Sequence, residues 1–97
     1  MEAIVNQILA QQEETGHKIL VDIRLFNGNI LLRSFHILGL DPGTEIITGI
    51  TAQEEYAHAK EGRDPQYCVL EFSEIKELSC PELDLEYQAG ALVYKSA

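Results

Sequence analysis

The side chains able to do chemistry in this chain are few and scattered. Its three histidines, His17, His36 and His58, lie far apart, and none stands beside a serine or cysteine in a spacing that builds a nucleophile and its base. Cys68 and Cys80 are the only cysteines, and neither belongs to a Cys-x-x-Cys or Cys/His spacing able to assemble a zinc site. Glu54-Glu55 and Glu61-x-x-Asp64 place carboxylates close together. A calcium loop of the EF type, however, sets oxygen ligands at alternating positions around a glycine, and that pattern is missing. These residues read as a solvated acidic loop, and the expectation is of no catalysis, no cofactor and no metal.

Asn27, Asn29 and Arg33 form the one polar cluster beside a turn that a ligand could touch. The plainer role for Asn27 is conformational, since asparagine tolerates the left-handed region. Tyr56, Tyr67, Tyr87 and Tyr94 have faces on which bases could stack. Without interleaved Lys or Arg they read instead as core edges or interface anchors.

The elements that must position these residues belong to one small domain. Ninety-seven residues, 45% of them hydrophobic and 24% charged, make an ordinary globular composition. A chain of this length buries roughly 60 to 68% of its unfolded surface, enough for one modest core. Sixteen acids against seven bases leave a formal charge of −9, with ten of the acids after residue 50. Phosphate-backbone binders carry a basic stripe, because neutralising phosphates supplies most of their non-specific affinity. None is visible here. With no N-terminal apolar region of signal type and no apolar run near membrane-spanning length, the chain is expected in a reducing cytoplasm, with both thiols free.

Along the chain, residues 2–15 read as an amphipathic helix with Ile4, Val5, Ile8 and Leu9 on one side, stopped by Gly16. From Lys18 to Phe26 the period becomes two, with Ile19, Val21, Ile23 and Leu25 on the inner face. Asn27-Gly28 is expected as a type I′ hairpin turn into a second strand from Asn29 to about Leu38. Gly39 to Gly43 forms a second turn, and Thr44–Thr51 a third strand, closing an antiparallel meander. The stretch 52–65 reads as an elaborated loop containing one or two helical turns after a Thr51/Glu54 capping pair.

A fourth strand runs from Gln66 to Phe72, with Cys68, Leu70 and Phe72 opposite Tyr67 and Val69. Ser73-Glu74 turns a tight corner into a fifth strand, Ile75–Ser79, ended by Pro81. The core is expected to hold Ile19, Val21, Ile23, Leu25, Ile46, Ile50, Leu70 and Ile75. The tail 81–97 alternates Leu83, Leu85 and Tyr87, then Leu92 and Tyr94 around Gly90, which adds one or two edge strands or packs on a neighbour. The fold class is thus mainly β: a helix (1–16), then a five-stranded, strongly bent antiparallel barrel (17–80), the last strand closing it.

Residues Val21-Asp22-Ile23-Arg24-Leu25-Phe26-Asn27-Gly28 resemble the first-strand signature of the Sm-like family, hydrophobic-x-Leu-x-Asn-Gly. Tyr67 to Ile75 is placed like the second motif of that family, and the likeness covers roughly residues 2–80. The resemblance implies that the barrel is of Sm-like or SH3-like form, non-catalytic, and that it self-assembles, typically into a ring, and binds RNA. In such a ring the fourth strand of one subunit pairs with the fifth of the next, which would place Tyr67, Val69, Ile75 and Leu78 at the subunit interface.

There are departures from the family pattern. The second-strand glycine that lets that strand bend falls at or near Arg33. For the Asp and base-binding Asn that the family has before the third strand, only Asp41 stands in, and it is displaced. The Arg-Gly or Lys-His step before the last corner is Glu71-Phe72-Ser73-Glu74. Ligand contacts implied for this chain are therefore Asn27, Asn29, Arg33 and Asp41. A reading of another class is a monomeric acidic adaptor or inhibitor that presents its negative half to a basic protein partner.

Overall fold

A computed structural model describes residues 1–89. Helix α1 (Glu2–Thr15) precedes six strands and a second helix: β1 (Leu20–Leu25), β2 (Leu31–Asp41), β3 (Ile46–Thr51), α2 (Ala52–Glu61), β4 (Cys68–Glu71), β5 (Ile75–Cys80) and β6 (Leu85–Gln88). All strand pairs are antiparallel, in the order β4-β3-β2-β1-β5-β6. The protein is thus mainly β, with an N-terminal helix, as its periodicities indicate. The expected closure into five strands is replaced by an open six-stranded sheet, because β4 and β6 each pair with one neighbour among the described residues.

The connectivity requires this sheet to curve. β4 and β5 are separated in the strand order by β3, β2 and β1, which in a flat sheet would put them about 19 Å apart. Yet the 3₁₀ turn Phe72–Glu74 joins them in three residues, a chain that reaches at most about 15 Å when fully extended. The eleven-residue β2 is irregular twice, and the β1–β5 pairing once, between Arg24 and Leu25. Between Val21 and Ile23 the register of β2 gains a residue around Ser34, and between Ile37 and Gly39 it gains Leu38. Ser34 sits in the left-handed region (φ 53°), and its N–H donates to Asp22 Oδ1 at 3.0 Å.

The concave face holds the core: Ile19, Val21 and Ile23, then Phe35, Ile37, Ile47, Leu70, Ile75, Leu78 and Cys80, capped by Val5 and Ile8 of α1. Leu25 is partly buried against this core. Two of the expected core residues lie elsewhere. On β3 the inward residue is Ile47, and period two then sends Ile46 and Ile50 to the convex face. Ile50 is nevertheless buried, because it lines a groove with residues of α2.

Gly49 shares the concave side, where a Cβ would land on the Phe35 ring and 2.5 Å from the His36 carbonyl oxygen. Gln12 fastens α1 by donating from Nε2 to the Ile37 carbonyl at 2.9 Å and accepting the Ile19 N–H at 3.0 Å.

The loops correct several expectations. The β1–β2 connection is a longer turn, Phe26–Asn29, in which Gly28 and Asn29 take positive φ, not Asn27 and Gly28 as a two-residue I′ turn needs. β2 runs on to Asp41, so the second turn starts at Pro42. Residues 52–61 form a full helix rather than a loop. Thr51 Oγ1 accepts the Glu54 N–H at 3.2 Å, and Gly62 caps the far end in the left-handed conformation. The first part of the tail does add a strand, β6, after the 3₁₀ turn Pro81–Leu83. Leu92 and Tyr94 lie outside the described residues.

Candidate functional site

The residues expected to meet a ligand are not brought together. Asn27 and Asn29 occupy the turn before β2, whereas Asp41 ends that strand, so they lie at its opposite ends. The Asn29 carbonyl accepts from Arg24 Nη1 at 3.1 Å, and the Asp41 carbonyl accepts from Thr44 Oγ1 at 2.9 Å. Both are turn-closing contacts. Arg33 is exposed at the Ser34 irregularity. Of the four interface candidates, Ile75 and Leu78 are fully buried in the core of their own chain, so their side chains are unavailable to a neighbour. Tyr67 and Val69 are 56% and 62% exposed.

The outer edge of β5 is also covered, because β6 pairs along it from Glu77 to Cys80. β4 has no such cover among the described residues. Phe72 N–H donates inward to the Glu45 carbonyl at 2.9 Å, so by strand alternation the N–H groups of Leu70 and Cys68 also face β3, while those of Val69 and Glu71 face outward. The Glu71 N–H is satisfied by Glu74 Oε1 at 2.9 Å as part of a capping box over the 3₁₀ corner. The Val69 N–H remains as the outward donor in the middle of the strand.

Beside this edge lies an open groove of about 540 Å³ between α2 and the convex face of the sheet. Leu38, Ile50, Tyr56 and Tyr67 give it apolar walls, and Lys18 and Glu55 a polar end. Glu54 shapes its rim. Its Oε2 accepts from Arg63 Nη2 at 3.2 Å and its Oε1 from the Gln66 N–H at 3.3 Å, which ties the segment before β4 to α2 and fixes Tyr67 beside the helix.

Glu55 Oε2 accepts from Lys18 Nζ at 3.1 Å. Its Oε1 is shielded from solvent and faces the equally shielded His36 Nδ1 at 3.6 Å, beyond hydrogen-bond reach. The spacing of the histidines hid this Lys18–Glu55–His36 group, since the α1–β1 connection, α2 and β2 contribute one member each. His58 Nδ1 meets the Arg63 carbonyl at the end of α2. Among the described residues no three His, Cys, Asp or Glu side chains stand where they could hold a metal ion.

The few bases are largely engaged. Lys18 pairs with Glu55, Arg24 with Glu77 at 3.5 Å, and Arg63 with Glu54 and Glu61 at 3.2 Å each. Lys60 Nζ lies 5.6 Å from the Tyr56 ring centroid. Asp64, Glu71 and Glu74 flank β4 as exposed acids. Among the described residues no helix is long and apolar enough to cross a membrane. No protein-family model, curated protein or solved structure matches this chain.

Proposed function

We propose that this protein is a non-catalytic interaction module of divergent Sm-like form with an open sheet, which binds a basic protein partner by adding an extended segment to β4. The observation that carries the reading is the edge of β4, uncovered among the described residues, with an outward Val69 N–H and the exposed apolar side chains of Tyr67 and Val69. Such an edge is a template for strand addition, in which main-chain hydrogen bonds give affinity and side-chain pockets give selectivity. The basic character of the partner follows from the charge of −9 and the acids on either side of the strand. The N-terminal helix, the Asn-Gly after β1 and the three-residue corner between β4 and β5 support the Sm-like form.

RNA, which the resemblance would bring, is disfavoured by the engagement of Lys18, Arg24 and Arg63 in ion pairs. Ring assembly is the second reading, favoured by the two terminal strands of the sheet, β4 and β6, that head-to-tail pairing would use. It brings together two strands that both carry acids, Glu71 on β4 and Glu86 on β6, or else displaces β6 from β5.

Two measurements test the proposal. Light scattering across the micromolar range is expected to return the mass of one chain; a larger closed assembly, lost in Tyr67→Lys, would favour the ring. Titrating isotope-labelled protein with a synthetic peptide alternating Lys and Val should shift and protect the Val69 amide, while a Glu/Val peptide should leave it alone. Equal responses to both peptides, or none at β4, would refute the adaptor reading.

A further inference from the structure

The groove adjoins the edge that strand addition would use through Tyr67, two residues before Val69. Tyr67 lines it together with Leu38, Ile50 and Tyr56, and on the sheet Thr48 pairs with Val69 on one side and with Gly39, next to the Leu38 irregularity, on the other. Leu38 and Tyr56 are 46% and 65% exposed, and α2 overhangs without filling the space between them. The polar end of the groove carries little net charge of its own, because Lys18 balances Glu55. The uncompensated acids lie outside it, at Asp64, Glu71 and Glu74. The interior therefore suits an apolar group and the surroundings suit cations. A volume of about 540 Å³ is that of an ordinary binding pocket.

We propose that the groove is an anchor pocket for a large aliphatic or aromatic side chain of the same extended basic peptide, flanked in that peptide by Lys or Arg. This rests on the β4 reading and adds its selectivity: the edge supplies generic main-chain pairing, and the groove decides which segments bind. The flanking cations meet Asp64 on one side and Glu71 and Glu74 on the other, while the anchor lies against Leu38, Ile50 and the two tyrosine rings. Binding is thereby concentrated in one desolvated side chain within a polar rim.

The test uses the full chain as bait in a display selection from random short peptides, with the enriched sequences synthesised and titrated by fluorescence anisotropy. Enriched peptides are expected to be cationic and to carry one large apolar residue, and truncating that residue to Ala should weaken binding about tenfold or more. Leu38→Glu should do the same, and so should Tyr56→Ala, a second, well-exposed groove position whose loss does not threaten the core.

Methylating alternate backbone nitrogens of the peptide probes the edge separately. If methylation abolishes binding while anchor truncation, Leu38→Glu and Tyr56→Ala leave it unchanged, the anchor pocket is refuted and strand addition stands. If methylation has no effect but the groove variants do, strand addition falls and the pocket stands only as an isolated side-chain site. A selection that yields nothing, or acidic peptides, overturns both, as does a groove-dependent dimer in light scattering.

Discussion

Asp22 Oδ1 accepts the backbone N–H of Ser34 at 3.0 Å, and Ser34 is held there at φ 53°. The carboxylate sits on the neighbouring strand, where the register of β2 slips, so one side chain satisfies the donor that the irregularity removes from the ladder. Asp22→Ala is expected to cost about 1–2 kcal/mol by orphaning that N–H. Ser34→Gly should be neutral or stabilising, since relief of the left-handed strain offsets the added chain entropy, whereas Ser34→Val should destabilise. Urea midpoints of the three variants check this, and a destabilised Ser34→Gly would show that the hydroxyl, rather than the backbone, matters.

Gly49 has no room for a methyl group. Gly49→Ala would drive Cβ into the Phe35 ring and toward the His36 carbonyl, and overpacking of this kind costs about 1–3 kcal/mol or more. Shrinking the ring in a Gly49→Ala/Phe35→Leu double variant should recover part of the ring clash but not the contact with the carbonyl. Additive losses in thermal unfolding would argue against direct packing between the two positions.

Glu54 acts as a clamp on the segment ahead of β4. Glu54→Gln retains an acceptor for the Gln66 N–H and loses mainly the partly exposed ion pair with Arg63, worth about 0–1 kcal/mol. Glu54→Ala loses both and should cost about 1–2 kcal/mol. Amide exchange at Gln66 is the discriminating readout: faster in the Ala variant, little changed in the Gln variant. Equal acceleration in both would mean that charge, not the acceptor, holds the segment.

Burial pushes the Cys80 thiol above its ordinary value, with a lesser upward push from Glu82, against hydrogen bonds from Leu83 and Glu82. An acid that ionises later when folded than when unfolded gives a constant contribution below the unfolded value, near pH 8.5. That contribution is lost as pH rises, because the unfolded chain releases its proton first. Stability should therefore fall above about pH 8.5, less steeply in Cys80→Ala. In the native protein an aromatic disulfide reagent should modify half-buried Cys68 well before Cys80. Equal rates would show that Cys80 is reached without unfolding.

The concave face was readable where alternation was strict. Val21, Ile23, Leu70 and Ile75 are buried as their period requires, and Val5 and Ile8 dock as the helical stripe demands. Reading failed where two β-branched residues adjoin. Ile46-Ile47 offers no polar neighbour to fix the face, and the outward Ile50 is buried only because α2 lies over it, in a stretch read as a loop.

Nothing in a serine's type marks Ser34 for the left-handed region, and by sequence Asp22 is like any outward polar residue of β1. The candidate site was half legible. Tyr67 and Val69 were singled out as one face of a strand, but the groove needs Lys18, Leu38, Ile50 and Tyr56 to converge from separate elements, which no local pattern records.

The position of β1 has a consequence for biosynthesis. It is the first of the six strands to be made, yet it lies inside the sheet and pairs on one side with β5, about 50 residues later. At about 5–20 residues per second a ribosome needs roughly 3 to 10 s to deliver that partner. Throughout that interval β1 presents a bare edge on its β5 side, and α1 has only part of the concave face to cover. A nascent chain of this protein is therefore expected to occupy chaperones until Cys80 has emerged, and synonymous changes that slow translation between β3 and β5 should lower its soluble yield without altering a single residue.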